Sequence, residues 1–259
     1  MDEAFLQHWA ARARTAEPTA VAVLLRGSHA RDEAGPHSDL DLTVLTRESP
    51  LTRYRAELVE AEDGRLLHLS VGAMSWAEWL AERDVPAAWS FSLPTRQAAR
   101  VLWVIAAYEA ALDDPLVLQP PSPPNLEDFV EAAAKVKNAF AAGNDLALRL
   151  AAQDLARWAP SLLRLLNPSV TVGSRAAALR AILDFPVVPP GYRQDMLVCL
   201  GLSGQAVPAE ELHERASRLA VGIIDLLAPR VEEFAGQLEP DLPRYLRDGR
   251  LRPYLRQGM

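Results

Sequence analysis

The chain has 259 residues, of which 49% are hydrophobic and 24% are charged. This composition supports a large apolar core and excludes a chain that is disordered throughout. The formal net charge of -7 argues against an extended nucleic-acid-binding surface. The single cysteine, Cys199, excludes an intramolecular disulfide and a zinc site built from cysteines.

Neither a signal peptide nor a membrane span is expected. Residues 1–5 are acidic and lack the basic and apolar regions of a signal peptide. No apolar run approaches the ~20 residues that a spanning helix requires. We therefore expect a cytoplasmic protein with no membrane partner.

An amphipathic helix is predicted over residues 3–16, and two short buried strands are predicted at residues 21–25 and 42–45. Asp39-Leu40-Asp41 leads directly into the second strand at Leu42 and continues its extended pattern. Because side chains alternate along a strand, the two aspartates point to one side and the leucines point into the core.

The segment between these strands has the chemistry of a phosphate and metal site. Gly27 lets the backbone approach a ligand closely, and the amides after it, together with Ser28, suit phosphate oxygens. Arg26 and Arg31 flank this turn. Two neighbouring carboxylates repel each other unless a cation lies between them, and Mg²⁺ prefers such oxygen ligands.

The next elements are a predicted hairpin, a helix and an edge strand. The hairpin joins residues 54–61 to residues 65–71. Ser75 and Glu78 have the spacing of a capping box, which marks the start of the helix. Residues 99–104 have the pattern of a final edge strand.

A proline-rich linker at residues 119–124 divides the chain into predicted domains of residues 1–118 and 125–259. Everything after the linker is predicted to be helical. The expected helices cover residues 125–140, 146–166, 174–183, 191–200 and 208–227, with a break at Gly143-Asn144.

The stretch from Gly27-Ser28 to Asp39-Leu40-Asp41 resembles the signature of the nucleotidyltransferase superfamily of the DNA polymerase β type. That signature places Gly-Ser on a strand-to-helix turn and Asp-x-Asp on the next strand. The layout is similar to that of the antibiotic (aminoglycoside) adenylyltransferases, whose catalytic and helical domains enclose the substrate. The resemblance therefore implies an α+β fold, with a mixed-sheet N-terminal domain followed by an all-α bundle.

The same resemblance implies an activity. A nucleoside monophosphate, in the first instance AMP from ATP or another nucleoside triphosphate, would be transferred to a hydroxyl of a small-molecule acceptor. Asp39 and Asp41 would hold two Mg²⁺ ions. Gly27, Ser28 and Arg31 would bind the triphosphate.

A lysine of the helical domain would complete the triphosphate site, as in the resembling enzymes. Lys135 and Lys137 are the only lysines in the chain and are both candidates. Either one would reach the phosphates across the cleft between the domains, as a compact positive charge.

The sequence departs from the family at its third carboxylate, which usually lies on a later strand of the same sheet. The outward positions of that strand are predicted to be His68 and Ser70. His68 is either the general base or an ordinary sheet residue, unless Glu57 or Glu60 of the neighbouring strand supplies the carboxylate. The alternative to an active transferase is therefore a degenerate member that binds a nucleotide or a protein target without turnover.

Overall fold

The computed structural model describes residues 2–61, 63–83, 87–89, 93–96, 99–114, 124, 126–168, 171–172, 175–237 and 242–257. Contacts divide the chain into two compact units. The first unit comprises Met1–Ala87, Thr95–Pro121 and Val172–Ser174, and the second comprises Ala88–Pro94, Ser122–Thr171 and Arg175–Met259. Residues 119–123 of the predicted linker lie outside the described residues, so the boundary at residues 119–124 stays a prediction.

The described residues form eight strands: β1 Ala20–Leu25, β2 Leu40–Thr46, β3 Tyr54–Glu60, β4 Leu66–Ser75, β5 Ala87–Trp89, β6 Leu93–Arg96, β7 Arg100–Val104 and β8 Thr171–Val172. Five of them form one sheet in the order β3-β4-β2-β1-β7. Strand β2 pairs with β4 in parallel, and the other neighbours are antiparallel. The predicted mixed sheet, its hairpin and its final edge strand are confirmed.

The same residues contain eleven α-helices: α1 Glu3–Thr15, α2 Trp76–Glu82, α3 Ala106–Asp113, α4 Leu126–Ala141, α5 Asp145–Leu163, α6 Arg175–Leu183, α7 Tyr192–Cys199, α8 Ala209–Leu227, α9 Val231–Phe234, α10 Leu242–Arg247 and α11 Leu251–Arg256. The helical region after the sheet domain is therefore confirmed. In the described part of the chain, no helix combines the length and apolar character needed to cross a membrane.

The two faces of the five-stranded sheet carry different partners. Helix α1 packs Leu6 and Trp9 against one face, where alternate strand residues such as Leu42 and Leu69 are buried. On the other face, Trp76 of α2 and Tyr108 of α3 lie in an aromatic cluster that packs beside Leu24 and Leu45. The capping box at Ser75 and Glu78 starts α2 as predicted.

A second, small sheet has the order β5-β6-β8. Its strand Thr171–Val172 corrects the expectation that everything after the linker is helical. Two residues are too short to show the alternation by which a strand is recognised in a sequence.

Helices α4, α5 and α8 form the core of the second unit around buried side chains such as Phe129, Leu155 and Ile223. The predicted break between α4 and α5 falls at Gly143, which has a φ of +63°. Asn144 then caps α5 by accepting a hydrogen bond from the backbone N–H of Ala147 at 3.1 Å.

A buried carboxylate connects α7 to α8. Asp195 of α7 is 1% exposed and accepts hydrogen bonds from Arg218 Nε at 2.8 Å and Arg215 Nη1 at 3.3 Å. A buried charge needs such partners, because an unpaired one would be strongly destabilising.

A buried histidine predicts how the stability of the protein responds to acid. His213 of α8 stacks on Phe140 of α4, with ring centroids 4.1 Å apart. Burial lowers the pKa of His213, and the positive charge of Lys137 lowers it further. The unfolded chain therefore binds a proton more readily than the folded protein, and stability should fall as the pH drops below about 6.5.

We expect the free energy of unfolding of His213→Phe to decrease less as the pH drops, because phenylalanine keeps an aromatic ring against Phe140 and does not titrate. In the wild type, His213 changes the free energy of unfolding by at most about 1.4 kcal/mol per pH unit, the limit for one proton. Urea unfolding at pH 7, 6 and 5 measures it. His37→Gln, at an exposed position, is the control and should keep the wild-type slope. If the free energy of unfolding of His213→Phe depends on pH as steeply as that of the wild type, His213 is not the group that destabilises the protein in acid.

Candidate active site

The Gly-Ser turn directly follows β1. The Arg26 N–H donates to the Asp41 carbonyl at 2.8 Å, so β1 and β2 stay paired up to the turn. Gly27 then has a φ of +66°, a left-handed conformation that favours glycine. Ser28 leads into a short 3-10 helix at His29–Arg31, in agreement with the strand-to-helix turn of the family signature.

The Asp41 carboxylate lies in the space that a side chain at position 27 would occupy. A Cβ atom on Gly27 would be 2.4 Å from Asp41 Oδ2, which is far inside van der Waals contact. Glycine is therefore favoured at this position for two reasons, its backbone conformation and the carboxylate beside it.

On its other side, Asp41 contacts β4. The Ser70 hydroxyl donates a hydrogen bond to Asp41 Oδ1 at 3.0 Å. Asp41 and Ser70 are direct partners in the parallel pairing of β2 with β4. Both are half-buried and lie on the face opposite the α1 core.

Asp39 and His68 lie at the same end of these two strands. Asp39 immediately precedes Leu40, and His68 immediately precedes Leu69, the strand partner of Leu40. Continuing the register by one pair places His68 beside Asp39. Both are exposed, and His68 shares the face of Ser70 as the sequence predicts.

The alternative carboxylates of β3 occupy different faces. Glu57 is paired with Leu69 in the strand register and accepts a hydrogen bond from Arg12 of α1 at 3.2 Å. It therefore faces α1, away from Asp41, which excludes it as the third carboxylate in this structure. Glu60 shares the face of His68 but lies opposite Leu66, at the end of the hairpin.

The donor set fits Mg²⁺ bound together with a nucleotide. Among the described residues, no group of three or more Asp, Glu, His or Cys side chains is placed to hold a metal ion. Mg²⁺ in nucleotide sites commonly uses one or two carboxylates, with water and substrate phosphates as the remaining ligands. Asp39 and Asp41, beside a turn that brings the backbone close to Asp41, match that requirement.

The two arginines near the turn lie close to carboxylates of the protein itself. Arg31 Nε donates to Glu33 at 2.9 Å, and the Arg31 side chain is 12% exposed. Arg26 is half-buried next to Asp41 in the strand register. Burial lowers the pKa of Arg26, and the negative charge of Asp41 opposes that shift.

His29 is a residue of this region that the sequence did not single out. It lines a cavity of about 710 Å³ in the first unit, together with Asp32, Ser38 and Arg65. Burial is the main cause that lowers the pKa of His29, and a backbone hydrogen bond at Ser38 and the negative charges of Asp39 and Asp41 oppose that shift.

The two lysines lie in the second unit on α4. Lys135 forms an exposed ion pair with Glu131 at 3.0 Å, a contact of small energy. Lys137 donates to the Tyr254 carbonyl, and its ammonium lies 4.7 Å from the centroid of the Tyr254 ring. Burial lowers the pKa of Lys137. Their contact with a triphosphate stays a prediction.

Two family models match the sequence, one in each half of the chain. Residues 11–80 match a family model described as nucleotidyltransferase domain, and residues 125–228 match one described as nucleotidyltransferase, substrate binding domain. The chain belongs to the nucleotidyltransferase superfamily. This membership confirms the resemblance of the Gly-Ser and Asp-x-Asp motifs and implies a nucleotide substrate.

No curated protein matches the sequence. One similar solved structure is that of a nucleotidyltransferase-like protein from Exiguobacterium sibiricum 255-15. It has 16% sequence identity and a TM-score of 0.41, over 90% of this chain and 76% of that one.

Proposed function

We propose that this nucleotidyltransferase transfers a nucleoside monophosphate, in the first instance AMP from ATP, to a hydroxyl of a small-molecule acceptor. The observation that carries the proposal is the Asp41 carboxylate against the Gly27 turn. The side chain proposed to bind the metal is thereby adjacent to the backbone proposed to bind the phosphates. The match of residues 125–228 to a substrate-binding domain supports a small-molecule acceptor.

The reaction is an in-line displacement at the α-phosphorus. The acceptor hydroxyl gives up its proton, for which His68 is the candidate base, and its oxygen bonds to the α-phosphorus. The bond from that phosphorus to pyrophosphate breaks at the same time, and pyrophosphate leaves with the electron pair. Asp39 and Asp41 would hold Mg²⁺, which stabilises negative charge on the phosphate oxygens when it is bound. The backbone after Gly27 and the Ser28 hydroxyl would bind the phosphate chain.

The proposal is tested with ATP labelled at the α-phosphate and a panel of hydroxyl acceptors that includes aminoglycosides. We expect ATP to bind in Mg²⁺, and we expect label to move to an acceptor with release of pyrophosphate. The Asp39→Asn, Asp41→Asn double variant is the inactive control. Absence of both ATP binding and transfer in the wild type would contradict the proposal.

A second candidate function is nucleotide binding without turnover. This function is favoured by His68, which lies on the same face of the sheet as Asp41, on the strand where the family usually has a carboxylate. In this case the wild type binds ATP but transfers nothing to any acceptor. His68→Glu, which restores the family's usual group, should then gain transfer activity.

If His68 is instead the general base of an active enzyme, His68→Ala should lower turnover by about 10²–10⁴-fold, the range that such catalysis contributes. ATP affinity should stay unchanged, because a base contacts the acceptor hydroxyl and not the phosphates. Steady-state kinetics and calorimetry measure the two quantities. Glu60→Gln, on the same face at the end of the hairpin, should then behave as wild type. Loss of turnover in Glu60→Gln with normal turnover in His68→Ala would instead assign the base to Glu60.

A further inference from the structure

We propose that Ser70 is a positioning residue that fixes the Asp41 carboxylate in the orientation that receives a divalent cation. The inference rests on the proposed function and assigns Ser70 a role in it. Ser70 would contact neither the nucleotide nor the metal, and would act through Asp41.

The position of the Ser70 hydroxyl is fixed by the sheet. On β4 its neighbours Leu69 and Val71 are 1% and 4% exposed, and both are buried in the α1 core. The backbone of Ser70 is also aligned with Asp41 by consecutive parallel pairs on either side. A shift of the hydroxyl would therefore require these buried side chains to move.

Asp41 needs such a partner because its carboxylate is otherwise free to turn. The final torsion of aspartate is broad and roughly two-fold, so the backbone alone does not select one orientation. The Ser70 hydroxyl holds Oδ1 at 3.0 Å, while Oδ2 lies toward Gly27. The hydrogen bond from Ser70 therefore favours the orientation in which the other carboxylate oxygen, Oδ2, faces the Gly-Ser turn.

This orientation has a chemical consequence. Oδ2 faces the segment whose backbone would bind phosphates, so a cation on Oδ2 lies within reach of phosphate oxygens. Partners that orient metal ligands in this way are typically worth about 10–100-fold in metal affinity or activity.

The test measures binding of α,β-methylene-ATP by calorimetry, in Mg²⁺ and in EDTA. We expect Ser70→Ala to weaken binding by about 10–100-fold in Mg²⁺ and to leave binding in EDTA unchanged. Ser70→Thr keeps the hydroxyl and should retain most of the affinity. Ser203→Ala removes an exposed hydroxyl that bonds to the Gln205 carbonyl in the second unit, and should have no effect.

A double-mutant cycle separates positioning through Asp41 from any independent role of Ser70. In the Asp41→Asn background, Ser70→Ala should cause no further loss. An equal loss in both backgrounds, or Ser70→Ala binding like wild type in Mg²⁺, would overturn the inference alone. If the wild type itself binds no nucleotide in Mg²⁺, the proposed function fails, and the role of Ser70 fails with it.

Discussion

Asp41→Asn is expected to weaken ATP binding in Mg²⁺ and to lower turnover by roughly 10²–10³-fold each, because a bound metal ion supplies several kcal/mol of charge stabilisation. Binding in EDTA should be unchanged. The stability of the ligand-free protein should change little, since the substitution relieves repulsion from Asp39 and also removes the attraction between Asp41 and the half-buried Arg26. Calorimetry in the two buffers and thermal unfolding measure these three quantities.

Asp32→Asn is a matched control from the same loop. Asp32 is exposed and has a φ of +56°, a conformation that asparagine tolerates well. The substitution removes one negative charge without touching Asp41, and should leave Mg²⁺-dependent binding at the wild-type level. Equal losses in the two variants would point to a general charge effect and would count against a metal site on Asp41.

Gly27→Ala is expected to have the second large effect, on both stability and binding. Alanine in the left-handed region costs about 1–2 kcal/mol. The new Cβ would also lie 2.4 Å from Asp41 Oδ2, so the carboxylate must leave its position. We expect Mg²⁺-dependent nucleotide binding to fall to the level of Asp41→Asn.

Gly143→Ala separates the two causes. Gly143 has a φ of +63°, nearly that of Gly27, but a Cβ there would meet no heavy atom within 4 Å. The control should show a similar loss of stability and normal nucleotide binding. If Gly27→Ala binds ATP in Mg²⁺ as tightly as Gly143→Ala does, the close approach to Asp41 has no functional importance.

The sequence predicted which side chains lie on each face of the sheet better than it predicted which residues contact each other. Alternation of apolar and polar residues is a local property, so it correctly assigned His68 and Ser70 to the outward face. The turn at Gly27 and the cap at Ser75 were likewise readable from a few neighbouring residues. These local signals were sufficient to predict the hairpin and the turn beside the site.

Contacts between distant segments were not predictable in the same way. Alternation does not tell which residue lies opposite another, so the hydrogen bond from Ser70 to Asp41, 29 positions apart, had no local signal. The pairing of Glu57 with Arg12 depends on the packing of α1 against the sheet. The contact of Lys137 with Tyr254 spans 117 positions and depends on the packing of α11 near α4.

The parallel pairing of β2 with β4 also has a consequence for the order of folding. Asp41 belongs to the antiparallel pair β1–β2, and Ser70 belongs to the hairpin β3–β4. A hairpin closes a short loop and forms within about 1–10 μs, whereas pairing between separate segments is slower because a longer loop must close. We therefore expect the β3–β4 hairpin to form before β4 pairs with β2, so that the proposed metal ligand and its hydrogen-bond donor meet late in folding. Pulse-labelling amide exchange during refolding would show when the amides between β2 and β4 become protected, and therefore when these two strands pair.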